Sequence, residues 1–598
     1  MNAPVGTSEA ARRTWRAASF IFALSVAFAS AALVAPVHAG WGLYALDVAL
    51  AVAGFVVTRM LLAARGGIGG HTAVLARIVL CSVPPLVLVC GVALLAGLFL
   101  LPPADLRNQA WTGLWSAFGL SGGELLKQGW PQATGNELLW HGFILGVAAQ
   151  LTLGWGAVLL TLRALKAERW IGAVLILGMA GALAARLVLE GRGADPHLFY
   201  LAAPRAGLFL IGAFVAVVSW QVRPRQPNES PDPLLWPGRL ALPFWLWLWP
   251  LLLLPRMVLA RPLGGWEVAS VLVAAAAVAV LTEIAVTGPL RRRLEGRPLR
   301  ALVVCGLLLA GLAVASAGLF AADGLPGRAS DAVRVEETSA QVRPPLQAAC
   351  HTEGVQIPSA ANCTVPTGQT ADVVLWGNSH GSHLSPAVLE WAAGRGLAVR
   401  QATKSGCLPL VGTGSGLIDD GCARFNRAAV EAWGGVRPDL ILIGAGWTVV
   451  VERTPGDDKA QLAALDRELR VALTLLRARV GPETRIVLIG TTPDYSFAPA
   501  VCHARRAFLR LDTARCDDAV PANAALMAEA DARLARIATE SPGVFLFRPS
   551  TALCDRGTCR TRGAGGVWYT DQSHMTEAGG RAQTAALSAV LDQMVAYR

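Results

Sequence analysis

The chain has 598 residues, 54% of them hydrophobic and 16% charged, with a formal net charge of +11. A soluble domain carries roughly 25% charge, so a wholly soluble protein is excluded. The basic excess does not point to nucleic acid, because the arginines cluster beside apolar runs, where positive charge sets membrane topology.

Residues 17–322 are one long apolar run after another, whereas 346–598 have the composition of an ordinary globular domain. Runs of about 18 or more apolar residues are candidate transmembrane helices. Nine are expected, at about 17–37, 42–63, 76–101, 139–162, 170–189, 199–220, 239–260, 266–289 and 301–322. The apolar stretch 108–122 is short for a crossing and is expected as a re-entrant or surface helix. Residues 11–39 also fit a signal peptide ending in "PVHA". Its removal would delete one span and leave the final domain on the same side.

Charge placement agrees with nine spans. Five basic clusters (Arg12, Arg13 and Arg16; Arg59 and Arg65; Arg163, Lys166 and Arg169; Arg223 and Arg225; Arg291, Arg292, Arg293 and Arg297) fall on one side if the N-terminus is cytoplasmic. An odd number of crossings then puts the C-terminal domain outside.

Residues 323–345 are polar, with Gly, Pro and Ser and no dominant period, and are expected as a tether. Beyond them lie eight of the eleven cysteines, in close pairs: Cys350 and Cys363, Cys407 and Cys422, Cys502 and Cys516, Cys554 and Cys559. That pattern suggests disulfides and an oxidising compartment, with the connectivity open. The spacing does not resemble a zinc site, and no metal is expected.

Four runs, 372–377, 438–446, 484–492 and 543–549, are almost wholly apolar, as strands buried on both faces are. Helical segments at 386–397, 424–434, 459–480 and 522–540 alternate with them, which implies a parallel sheet flanked by helices. Sites in such sheets lie past the C-terminal ends of strands. Ser379 stands there, in Gly377-Asn378-Ser379-His380. Near the chain end, "WYTDQSHMTEAGGRA" holds Asp571 and His574, three residues apart on a loop entering a helix. A serine nucleophile needs a base, and the base needs an orienting acceptor.

These two blocks resemble the first and last blocks of the SGNH hydrolase and acyltransferase family, Gly-Asp-Ser and Asp-x-x-His. The resemblance implies Ser379 as nucleophile, His574 as general base and Asp571 as its orienting partner. It implies an oxyanion hole from the backbone of Ser379 and of Gly406, in "ATKSGCLPL". Asn378 replaces the usual Asp and suits the same turn. Trp447, in "GAGWTVV", stands where the family supplies an oxyanion asparagine. His380 and His383 are read as local structure.

The apolar half resembles the acyltransferase-3 membrane family in "ALDVALAVAGFVVTR" (45–59), "LPPADLRNQAW" (101–111), "FYLAAPRAGLFLIGA" (199–213) and "FWLWLWP" (244–250). Several positions depart from it. A first-helix histidine falls near Leu33, Ala148 and Ala149 replace two glutamates, and Leu248 replaces another histidine. Leu and Ala cannot move protons, so the membrane half is expected to lack the family's full acyl-transfer chemistry. Charges inside a membrane suggest function by default. Asp47, His141 and Arg205 are the candidates, with Arg59 beside them, while Arg59, Glu267 and Glu283 are placed to snorkel to water.

The expected architecture is a polytopic α-helical membrane domain (1–322), a linker (323–345) and an extracytoplasmic SGNH-like α/β domain (346–598). The resemblance implies a bacterial inner-membrane enzyme that O-acylates an envelope or surface glycan. No resident cofactor is expected, and acyl-CoA (acetyl-CoA) is the candidate donor. Besides lipid and glycan, a separate acyl-transferring membrane protein is a candidate partner. Two alternatives stand beside this reading: a membrane-anchored esterase using the same triad with water, and a non-catalytic assembly partner.

Overall fold

A computed structural model describes residues 6–34, 44–64, 67–128, 137–191, 195–219, 236–448, 451 and 457–595. Arg65, Arg223 and Arg225 of the basic clusters lie outside the described residues. The chain divides into two compact units, Met1–Arg328 and Ala329–Arg598.

The first unit is a polytopic helical membrane domain. Among the described residues, eight of its helices are long and apolar enough to cross a membrane: Arg13–Val34, Ala45–Ala63, Ile68–Leu100, Trp140–Ala164, Glu168–Glu190, Trp236–Leu259, Gly265–Leu294 and Pro298–Ala321. The sixth expected span, 199–220, is the shorter apolar helix Ala202–Val218 of 17 residues. At 1.5 Å per residue this sits at the lower end of the length that spans a bilayer. Residues 108–122 fall mostly in the 15-residue helix Pro103–Ala117, too short to cross.

Two features show how the bundle packs. Helices Ala45–Ala63 and Ala202–Val218 touch backbone to backbone: a Cβ added at Gly54 would lie 1.9 Å from the Phe209 carbonyl oxygen, and one at Gly212 1.8 Å from that of Ala51. Small residues permit such approach where lipid removes any hydrophobic drive between helices. The helix Trp236–Leu259 carries Pro243, Pro250 and Pro255. Pro250 has no N–H for the carbonyl of Leu246 four residues earlier. His141 supplies the missing donor, with Nε2 2.8 Å from the Leu246 oxygen. Around it, Trp245 Nε1 donates to the His141 carbonyl (3.2 Å) and Trp249 Nε1 to that of Glu137 (2.8 Å). Indole N–H groups thus satisfy an irregular backbone turn that hydrocarbon would leave unpaired.

The second unit is an α/β domain. Its strands include β1 (His351–Thr352), β2 (Thr364–Val365), β3 (Val373–Gly377), β4 (Val399–Lys404), β5 (Leu440–Gly444), β6 (Arg485–Ile489), β7 (Asp518–Ala519) and β8 (Val544–Phe547), with four short ones between 554 and 567. The main sheet runs β1-β4-β3-β5-β6-β8, all parallel, with β2 antiparallel on β4. Alternation along the strands builds two cores. Val374, Trp376, Ile441, Ile443, Ile486 and Leu488 face helices Asp420–Val436, Asp458–Val480 and Ala524–Glu540. Val373, Leu375, Leu440, Leu442, Val487 and Ile489 face Ser385–Ala393 and Thr584–Val595. Strands β3, β5 and β6 are covered on both sides and have no polar face, which is why they read as continuous apolar runs. The fourth run, β8, departs from the expected burial on both faces: it lies at the sheet edge with Phe545 38% exposed. Strand β4, "VRQATK", was not anticipated because Arg400, Gln401 and Lys404 interrupt its apolar pattern.

The stretch 323–345 is not a featureless tether. It holds the helix Asp331–Ser339, N-capped by Ser330, with Val333 1% exposed and Glu336 7% exposed. Glu336 pairs with Arg562 at 2.8 Å. A single buried valine and a buried, paired glutamate leave no apolar period to read, so the sequence looks solvated while the backbone is packed. The second unit accordingly begins at Ala329, ahead of the expected 346. Neighbouring cysteines pair: Cys350–Cys363, Cys407–Cys422, Cys502–Cys516 and Cys554–Cys559. Cys81, Cys90 and Cys305 are free.

Candidate active site

Strand β3 ends in Gly377, where the backbone must pass close to β5. A Cβ on Gly377 would lie 1.8 Å from the Gly444 oxygen, and φ is +144°. The Asn378 N–H donates to that oxygen at 3.1 Å. The Asn378 side-chain oxygen accepts from the N–H of His380 (3.0 Å) and of Gly446 (3.1 Å). Asn378 therefore starts the turn Ser379–Ser382 and stitches it to the loop after β5. Ser379, first in that turn, has an N–H with no carbonyl four residues back inside the helix.

Ser379 Oγ lies 3.0 Å from His574 Nε2. His574 Nδ1 lies 2.8 Å from Asp571 Oδ2 and 3.1 Å from Oδ1. Burial opposes the charged form of Asp571. Hydrogen bonds from the His574 imidazole and from the N–H groups of His574 and Ser573 outweigh it and hold the carboxyl down to about 2. A carboxylate has no proton to donate, so Nδ1 carries the imidazole hydrogen and the Nε2 lone pair faces the serine hydroxyl. The residues expected from the two ends of the domain therefore meet, 195 positions apart in sequence.

The loop bearing them is held at the peptide group that follows the imidazole. The His574 carbonyl accepts from Thr570 N–H at 2.8 Å and from Thr570 Oγ1 at 3.3 Å. On the other end of the same peptide, Met575 N–H donates to His383 Nε2 at 3.3 Å. The Tyr495 N–H, from the segment after β6, donates to the Gln572 carbonyl at 3.0 Å. His380, His383 and His574 form a cluster of rings with centroids 4.9–5.4 Å apart. Burial, then the nearby His380, His574, His351 and Arg343, push the His383 pKa well below its ordinary value. Its neutral ring is the form that can accept from Met575. Among the described residues, no group of His, Cys, Asp or Glu could hold a metal ion.

Gly406 lies in the turn after β4, the neighbour of β3 at the same sheet edge, with φ +60° and open space where a Cβ would project. Trp447 is fully buried and donates to the Ile489 carbonyl at 2.7 Å, so its side chain serves the core.

In the membrane unit, Arg205 and Asp47 form a buried ion pair at 2.7 Å. His141 is committed to the Leu246 carbonyl. Arg59 does not snorkel: it is 3% exposed and donates to the carbonyl of Ser219, the C-cap of helix Ala202–Val218, at 2.9 Å. Glu283 is likewise buried, paired with Arg291 at 2.9 Å, whereas Glu267 lies at the surface with Arg261. A cavity of about 330 Å³ lies among Trp115, Lys127, Phe143, Gln150 and Tyr200, and the Phe143 ring that lines it lies 5.9 Å from the Arg205 guanidinium.

Residues 349–588 match the family described as "SGNH domain (fused to AT3 domains)". No curated protein matches the chain. Among solved structures, the periplasmic domain of the Salmonella ser. Paratyphi A lipopolysaccharide acetyltransferase is similar at 16% identity, over 44% of this chain and 97% of that one, with a TM-score of 0.34. The SGNH match therefore falls within the second unit, whose fold is the parallel-sheet α/β domain described above.

Proposed function

We propose that the protein is a membrane-bound O-acyltransferase of the bacterial inner membrane, transferring an acyl group, in the first instance acetyl, to an envelope or surface glycan. The hydrogen-bonded run from Ser379 through His574 to Asp571 carries this reading. In the proposed reaction, Ser379 Oγ attacks the donor carbonyl while His574 Nε2 takes the hydroxyl proton. Asp571 steadies the imidazolium. The N–H groups of Ser379 and Gly406 receive the oxyanion. Collapse expels the donor's leaving group, which takes the proton from His574, and an acyl-serine remains. A sugar hydroxyl then gives its proton to His574 and attacks the acyl carbon, releasing the ester and restoring Ser379.

The N-terminus is placed in the cytoplasm and the SGNH-type domain outside. The arginine clusters and four disulfides support this orientation, since disulfides persist in oxidising compartments. Acyl-CoA is the proposed cytoplasmic source of the acyl group, which must be carried across the membrane to the donor that Ser379 attacks outside. Ala148, Ala149 and Leu248 hold no titratable group, and His141 already serves a backbone carbonyl. These positions favour a second reading, in which a separate membrane protein delivers the acyl group or water replaces the sugar and the enzyme is an esterase.

Acyl content of the surface glycan, compared between cells with the natural protein and Ser379→Ala, separates the readings. Transfer predicts a fall in glycan acetate, and esterase activity predicts a rise. Unchanged acetate, with the variant folded and present in the membrane, overturns both.

A further inference from the structure

The segment joining the last apolar helix to the SGNH-type domain lies outside the matched residues 349–588, yet it is bonded to the loop that carries Asp571 and His574. Its helix Asp331–Ser339 pairs Glu336 with Arg562 at 2.8 Å. Ser339 lies beneath Gly566, where an added Cβ would come within 2.8 Å of the serine Cβ. The Val342 carbonyl accepts from Glu577 N–H at 2.9 Å. The connector therefore runs beside both ends of the stretch 562–577.

Arg343 follows the last of those anchors, and its partner Thr570 lies between Gly566 and Glu577. The arginine Nη1 donates to Thr570 Oγ1 at 2.8 Å, and that hydroxyl donates to the His574 carbonyl at 3.3 Å. The arginine occupies an acceptor site of the hydroxyl, which aims the single hydroxyl proton at the histidine's own backbone. Two hydrogen bonds thus link the connector to the peptide group whose other end is held by His383. The position of that peptide sets where Nε2 falls relative to Ser379 Oγ, and a misplacement of about 1 Å can cost roughly a hundredfold in rate.

We propose that Arg343 is a positioning residue for His574, acting through Thr570, and that residues 329–345 belong to the catalytic machinery of the outer domain. This rests on the reading of Ser379 and His574 as nucleophile and base.

The test uses the full chain in lipid nanodiscs with p-nitrophenyl acetate as probe. Arg343→Ala is expected to lower kcat by about five- to tenfold with KM nearly unchanged, the size expected for loss of one exposed hydrogen bond. Thr570→Val is expected to do the same, the double variant no worse than either single, and Arg343→Lys to restore part of the rate. Amide exchange in the peptide spanning 569–576 is expected to quicken in Arg343→Ala. A natural kcat in Arg343→Ala, or losses that multiply in the double variant, overturns the proposal. If the natural protein itself does not turn over the ester, the serine-enzyme reading fails with this probe. Amide exchange then decides for Arg343 alone: quickened exchange upholds the positioning role, and unchanged exchange overturns it.

Discussion

At Asp571 one carboxylate accepts from the N–H groups of Ser573 and His574 and from the imidazole Nδ1, so it shapes the loop and orients the His574 ring together. Its folded pKa lies near 2, below its ordinary value of 3.8. Its contribution to stability is therefore complete above about pH 4 and lost as pH falls towards 2. Asp571→Asn should flatten stability across that window, measured by urea unfolding at stepped pH, and reduce turnover by about 10³–10⁴-fold through the wrong imidazole tautomer. His383 moves stability in the same direction for a different reason. Its folded pKa lies well below 6.5, so acid protonates the unfolded chain first, and stability falls as pH drops below about 6.5. In His383→Gln the amide oxygen can still accept from Met575 N–H but does not titrate. Acid sensitivity between pH 6.5 and 5 should lessen in this variant while turnover at pH 8 stays within about threefold. A sharp loss at pH 8 would show that the imidazole does more than accept.

Among the elements, the Pro250 helix and the turn containing His141 depend on each other. His141→Leu should destabilise the membrane unit by about 1–3 kcal/mol, because the Leu246 carbonyl is left unpaired in apolar surroundings. Pro250→Ala restores the helical N–H, so the double variant should recover much of that loss, as read by thermal unfolding in detergent. Strict additivity would remove His141 from this structural role and return it to the candidate catalytic groups. The Asp47–Arg205 pair shows the same logic across two helices. It lies where Gly54 and Gly212 bring the backbones into contact, so it fixes the register of that pair.

For the whole molecule, orientation turns on the helix Ala202–Val218. If it crosses, the count is nine and the disulfide-bearing domain faces the oxidising side; if it does not, parity reverses. A thiol reagent that cannot pass the membrane should leave Cys407 and Cys422 unlabelled in intact cells until a reductant is added. Immediate labelling of both, before reduction and only after cell lysis, would place the domain in the cytoplasm.

Sequence alone determined what depends on near neighbours. Apolar runs of bilayer length marked the membrane half, and four runs such as "DVVLWG" marked strands, three of them buried on both faces and β8 with Phe545 exposed at the sheet edge. Asp571 and His574, three residues apart, could be read as a pair because one tight loop holds both. Tertiary structure decided the contacts that no local period encodes: Ser379 with His574 across 195 positions, Asp47 with Arg205 across 158, His141 with Leu246 across 105, and Arg343 with Thr570 across 227. Strand β4 and the helix Asp331–Ser339 escaped the sequence for the same reason. Gln401, Lys404 and Glu336 are held by partners distant in the chain, so burial there leaves no apolar signature. A side chain's chemistry is written at its own position, but its partner is chosen by where the whole backbone passes.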